Sequence, residues 1–115
     1  MPAARPVPLS ELDLRILCLL TDRELHGYAI VQQAAEEFPD QPPLEIGSLY
    51  RIISRLLDQG FLREVDPPAG AADDRRARRY YTISAAGRRA VRAEVTRLRA
   101  LLDSPALLRL FGPVQ

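Results

Sequence analysis

With 115 residues, 47% hydrophobic and 27% charged, the chain has the length and balance of one globular domain, which excludes wholesale disorder, collagen-like repeats and a disulfide scaffold. The longest strongly apolar run, Ile16 to Leu20, is too short to cross a bilayer, and the opening residues lack a signal peptide's basic start and apolar stretch; the expectation is a cytoplasmic protein that does not engage a membrane. The net charge of +1 hides an asymmetry: up to Tyr50 three arginines stand against eight acids, and from Arg51 onward thirteen stand against seven, which points one part of the molecule at an anion such as nucleic acid.

Residues 1–8 hold three prolines and no apolar period, and read as a flexible arm. Ser10 followed by Asp13 makes a capping pattern, and Leu12, Ile16, Leu19 and Leu20 recur at helical spacing, so a first helix is expected to end near Thr21. Cys18 is the only cysteine and lies in that apolar run; it reads as a buried small hydrophobe rather than a redox group. Residues 22–26 form a short connection with His26 as a turn residue. From Gly27, Ile30, Ala34 and Phe38 fall on one face of a second helix, with Glu36 and Glu37 turned away. The proline cluster at 39–43 breaks it, because proline lacks the donor N–H and disfavours helix in the residue before it. A turn follows, with a short strand at 44–46.

Leu49, Ile52, Ile53, Leu56 and Leu57 then make the clearest pattern in the chain, a third helix between a Gly47-Ser48 start and a Gly60 stop. Its other face carries Tyr50, Arg51, Ser54, Arg55 and Asp58. Residues 61–65 and 79–83 read as two strands of a hairpin around a long basic tip, and one of Tyr80 and Tyr81 should face inward. Ser84 caps a fourth helix in which Val91, Val95, Leu98 and Leu102 follow the spacing of a helix-pair seam. Ser104-Pro105 interrupts it and starts a last short turn.

The fold class expected is mainly α with a small β-hairpin wing: a winged helix-turn-helix over 9–84, followed by a dimerisation helix and tail over 85–115. In such a unit the third helix lies in the major groove of double-stranded DNA and the hairpin reaches phosphates or the adjacent minor groove. Arg51 and Arg55 are spaced to meet guanine edges or phosphates; the plainer reading is a solvated pair, with Arg55 bridging Asp58. Ser54 shares their face. The wing arginines Arg75, Arg76, Arg78 and Arg79 suit phosphate contact through counterion release, or merely solvate the tip, where Asp73 and Asp74 offset them. Tyr28 and Tyr50 open helices two and three, where a hydroxyl can reach a phosphate or the ring can pack. For Val91, Val95, Leu98 and Leu102, contact with a second copy competes with internal packing, and a last helix on so small a domain has little core left to join.

Four sequence pieces resemble the PadR family of transcriptional regulators: Leu25-His26-Gly27-Tyr28, Gly47-Ser48-Leu49-Tyr50, the stretch from Leu56 to Leu62, and Arg79-Tyr80-Tyr81-Thr82-Ile83-Ser84 with Gly87. The likeness runs over about residues 25–98 and implies a homodimeric regulator, usually a repressor, acting on a two-fold symmetric operator. By position it places Ser48 and Tyr50 near DNA and Arg79 before the second wing strand, whereas Arg51 stands where the family commonly has proline. The short tail resembles the compact branch with a single terminal helix. The chain has no tryptophan, which argues against a drug-sandwiching pocket of the kind some compact members have. An enzyme is not expected: one histidine, one cysteine, no nucleotide loop and no paired metal ligands leave no catalytic, metal or cofactor site to assign. The readings held beside DNA binding are a winged-helix module that binds protein, and a sensor with a small-molecule effector at the dimer interface.

Overall fold

The computed structural model describes residues 8–70 and 78–113 and arranges them as α1 (Glu11–Leu19), β1 (Leu25–His26), α2 (Gly27–Glu37), α3 (Ile46–Asp58), β2 (Leu62–Val65), β3 (Tyr80–Ile83), α4 (Ala85–Leu102) and α5 (Pro105–Phe111). The expected mainly helical fold with a small wing is what forms. Residues 1–7 of the arm expected over 1–8, and residues 71–77 of the expected wing tip, with Arg75 and Arg76, lie outside the described residues.

Ser10 caps α1 reciprocally: its hydroxyl accepts from the Asp13 N–H at 3.0 Å, and the Asp13 carboxylate accepts from the Ser10 N–H at 3.1 Å. The helix ends at Leu19, before Thr21. Ile16, Leu17, Leu19 and Leu20 are all buried, which leaves Cys18 on the remaining, outward side. The expectation of a buried cysteine is thereby corrected, because a run of five apolar residues on a helix spans more than one face.

His26 is more than a turn residue. It belongs to β1 and caps α2, its Nδ1 accepting from the Ala29 N–H at 3.1 Å. β1 was not legible in the sequence, since two residues show no alternation. It makes a three-stranded antiparallel sheet in the order β1-β3-β2, with Leu25 opposite Tyr81 and Leu62 opposite Ile83. β3 is therefore central, and Tyr80, Tyr81, Thr82 and Ile83 are all buried; Tyr81 joins the hydrophobic core as one of the two tyrosines was expected to, while Tyr80 lies outside that cluster against His26. The His26 and Tyr80 rings stand nearly perpendicular, with centroids 5.3 Å apart.

The short strand expected at 44–46 does not form. Leu44 packs against the core, and the Glu45 carbonyl already accepts from the Leu49 N–H at 2.9 Å, so the chain is helical from Ile46. At the other end Gly60, at φ +79°, closes α3: its N–H donates to the Leu57 carbonyl while the Phe61 N–H donates to that of Leu56. Leu49, Ile53 and Leu56 bury one side of α3 against Ile16, Leu17, Ile30, Tyr81 and Ile83.

Ser84 caps α4 as expected, accepting from the Gly87 N–H at 3.0 Å. Its own N–H donates to the Phe61 carbonyl at 3.0 Å, and a Cβ on Gly87 would stand 2.2 Å from that same oxygen. The Arg88 guanidinium donates to the Thr21 carbonyl, so the root of α4 is tied to the residue before β2 and to the turn after α1. No helix among the described residues is long and apolar enough to cross a membrane.

Candidate nucleic-acid interface

α3 presents two unlike sides because its apolar positions repeat at three and four. Opposite the buried stripe, Tyr50, Arg51, Ser54, Arg55 and Asp58 are exposed, with Ser48 half-buried at the first turn. Among the described residues the exposed Arg51 makes one loose contact, with the Ser48 hydroxyl at 3.4 Å, which leaves most of its five donors without a partner there. Short polar groups beside a planar guanidinium are what base edges and phosphates require.

Tyr50 is both packed and exposed. Half of the side chain is exposed, yet a Cβ placed on Gly27 would lie 2.8 Å from its hydroxyl oxygen, so the ring lies against the start of α2. Tyr28 follows Gly27 directly and is 55% exposed. The turn motif thus brings the Tyr50 ring of α3 against the start of α2, beside Tyr28, with Arg51 next to Tyr50 in the chain.

Arg55 is held elsewhere. Its guanidinium donates to Asp13, which is only 3% exposed and whose other oxygen is taken by the Ser10 N–H, and it also meets the Gln59 side chain at 3.5 Å. The Arg55 to Asp58 bridge considered from the sequence does not form. In the sequence Asp13 forms half of a capping pattern, and its spacing of three, four and seven to Ile16, Leu17 and Leu20 is the signal that it is buried.

At the base of the wing, the Arg79 Nε–H donates to Glu64 across the strands at 2.8 Å, and that bond first, then the charge of Glu64, raises the Arg79 pKa above its ordinary value. Arg78 places a guanidinium nitrogen 2.7 Å from His26 Nε2. Arg63, which the sequence reading passed over, lines the same open cleft as Arg78 and Arg79, together with Glu64 and Asp66. On β2 Leu62 is buried, whereas Arg63 and Glu64 are both exposed.

The seam residues of α4 divide. Val91 packs against the domain's own core and Val95 is half-buried, whereas Leu98 and Leu102 stay 42% and 40% exposed. Leu101 joins them, and α5 adds Leu108, Leu110 and Phe111. Cys18, although exposed, has its thiol pKa pushed up by partial burial and then by Glu37, so it is a poor nucleophile at neutral pH. Among the described residues no group of histidines, cysteines and acids is placed to hold a metal ion.

The family model for the transcriptional regulator PadR-like family matches residues 16–93. This chain belongs to that family. The match runs from the second half of α1 to the middle of α4, the part that holds the whole candidate interface. A PadR family transcriptional regulator from Eggerthella lenta is 27% identical, with 87% of this chain and 82% of that one covered and a TM-score of 0.68. Bacillus subtilis PadR, solved with operator DNA, is 25% identical at a TM-score of 0.64, covering 76% of this chain and 48% of its own, so the PadR-like chain described here spans about half of that relative. A PadR family regulator from Clostridium difficile, 19% identical, shares the fold over 89% of this chain and 98% of its own at a TM-score of 0.69. Comparison with curated proteins finds no match.

Proposed function

We propose that the protein is a sequence-specific DNA-binding regulator, in the repressor sense, that acts as a homodimer on a two-fold symmetric operator. The observation that carries the reading is the outer face of α3, where Arg51, Ser54 and the exposed half of Tyr50 stand free of the core beside the start of α2. α3 of each subunit enters the major groove, with half-sites about 10 base pairs apart or a multiple of that. Ser48 and Tyr28 join Tyr50 at phosphates flanking the bases read by Arg51, and Arg63, Arg78 and Arg79 bring the wing to the backbone alongside, with Arg75 and Arg76 of the tip completing the basic set. B. subtilis PadR was solved with operator DNA, which supports carrying the same partner to this chain.

The dimer is assigned to α4. Leu98 and Leu102 form an exposed apolar edge with Leu101, Val95 borders it, and Val91 anchors the helix to its own domain. Repression follows from occlusion of the polymerase site. No catalytic step is assigned, and double-stranded DNA and a second copy of the chain are the partners.

Selection of bound duplexes from a random pool at about 0.15 M salt, where nonspecific electrostatic attachment is already weakened, tests this directly. Enrichment of a two-fold symmetric motif is expected. Failure to enrich any sequence, with protein shown to be folded and dimeric, overturns the reading in favour of a protein-binding module.

A further inference from the structure

On α3, Leu49, Ile53 and Leu56 are buried and Ile52 and Leu57 pack half-buried against the core, but Ile46, the first residue of the helix, lies outside that cluster and is 45% exposed. Among the described residues every other exposed large aliphatic side chain lies on α4 or α5. Ile46 stands one turn before Tyr50, and residues four apart share a side of a helix, so it borders Tyr50 on the rim of the face that carries Arg51 and Ser54. Its neighbour Gly47 is the second anomaly. It is exposed, it is not in the left-handed conformation, and a Cβ built on it would meet nothing beyond its own helix within 4 Å. Neither conformation nor packing therefore demands glycine there, although glycine in a helix costs stability relative to alanine. What the missing side chain does allow is close approach of another molecule to the backbone.

A single exposed apolar side chain is common on protein surfaces and by itself calls for no explanation. Ile46 differs because it sits beside an unforced glycine, at the end of the helix that a helix-turn-helix unit directs at base edges. We propose that Ile46 is a specificity-determining residue that packs on the C5 methyl of a thymine in the major groove, with Gly47 admitting that base edge close to the first turn of α3. The inference rests on the DNA-binding reading above and names one of the bases that reading requires. The thymine methyl is the apolar group that the major groove presents, and an aliphatic side chain, having no donor or acceptor, tells bases apart through it. Cytosine would instead bring its N4 donor against Ile46, where no acceptor meets it. Arg51 and Ser54 serve the hydrogen-bonding groups alongside.

Deoxyuridine in place of thymine removes that methyl and leaves the base pair's hydrogen bonds intact, so it tests the contact directly. In duplexes selected by the full chain, replacing each thymine singly should lower affinity about fourfold at one position of each half-site, the worth of one buried methyl group. In Ile46→Ser that loss should disappear, and in Ile46→Val it should survive; because Ile46 lies outside the core, both variants should melt close to the parent. Gly47→Ala should melt no lower than the parent and yet bind the selected duplex more weakly. Selected duplexes whose thymines all tolerate deoxyuridine, or a loss that persists unchanged in Ile46→Ser, would overturn the methyl contact. Gly47→Ala binding as tightly as the parent would overturn the close approach of the backbone. Each of those results leaves DNA binding itself standing, whereas failure of the folded protein to bind any duplex removes that reading and this inference together.

Discussion

Asp13 and Arg55 illustrate how one buried carboxylate assigns a role to a residue that a helical wheel places elsewhere. Were Arg55 to leave for a phosphate, Asp13 would remain as a buried charge with only the Ser10 N–H, and unpairing of that kind costs about 3 to 5 kcal/mol. Arg55 is therefore a positioning residue that fixes α3 against α1. The two halves of the pair should respond unequally. Arg55→Met leaves the carboxylate stranded and should lower unfolding stability in urea by about 3 kcal/mol, whereas Asp13→Asn leaves a half-exposed guanidinium that water can serve and should cost about 1 to 2 kcal/mol. Equal losses would argue against burial of Asp13 as the cause. Arg51 has the opposite situation, with donors unspent, and Arg51→Ala should weaken operator binding by about 1 to 3 kcal/mol and relax preference at one base position. Unchanged affinity and preference in a duplex competition assay would remove it from the base-reading set.

At the scale of elements, two glycines separate packing from propensity. Alanine in place of a helical glycine normally stabilises by about 1 kcal/mol. At Gly87 the new methyl would meet a backbone oxygen that is itself fixed by the Ser84 N–H, so Gly87→Ala should destabilise by about 1 to 3 kcal/mol in thermal or urea unfolding. At Gly27 the obstacle is the far end of a half-exposed tyrosine that can swing aside; Gly27→Ala should leave stability nearly unchanged and weaken DNA binding, because Tyr50 is displaced. A variant that binds operator as well as the parent would show that the position of the Tyr50 ring is irrelevant to recognition. The wing is a matter of charge more than shape: neutralising Arg63 or Arg79 should reduce the slope of log affinity against log salt by about one each.

For the whole molecule the deciding feature is an exposed apolar edge on α4 that the domain does not use. Leu98→Glu puts a charge at that edge and should yield a monomer in sedimentation, with loss of high-affinity operator binding, since each half-site alone offers only one recognition helix. A variant that still sediments as a dimer would move the interface away from α4.

Much of this was determined by the sequence alone. Apolar spacing placed α2, α3 and α4, serine caps and Gly60 set several of their ends, and four short motifs in order identified the family, because helix periodicity and turn chemistry are local properties written in neighbouring residues. What lay beyond reach depended on partners distant in the chain. β1 exists only because β3 offers it an edge 54 residues later, from His26 to Tyr80. The outward turn of Cys18, the loss of Arg55 to Asp13, and the division of the α4 seam into an inward Val91 and outward Leu98 and Leu102 were likewise settled by which surfaces met. A spacing pattern defines the face of a helix, but only the tertiary structure decides what that face is packed against.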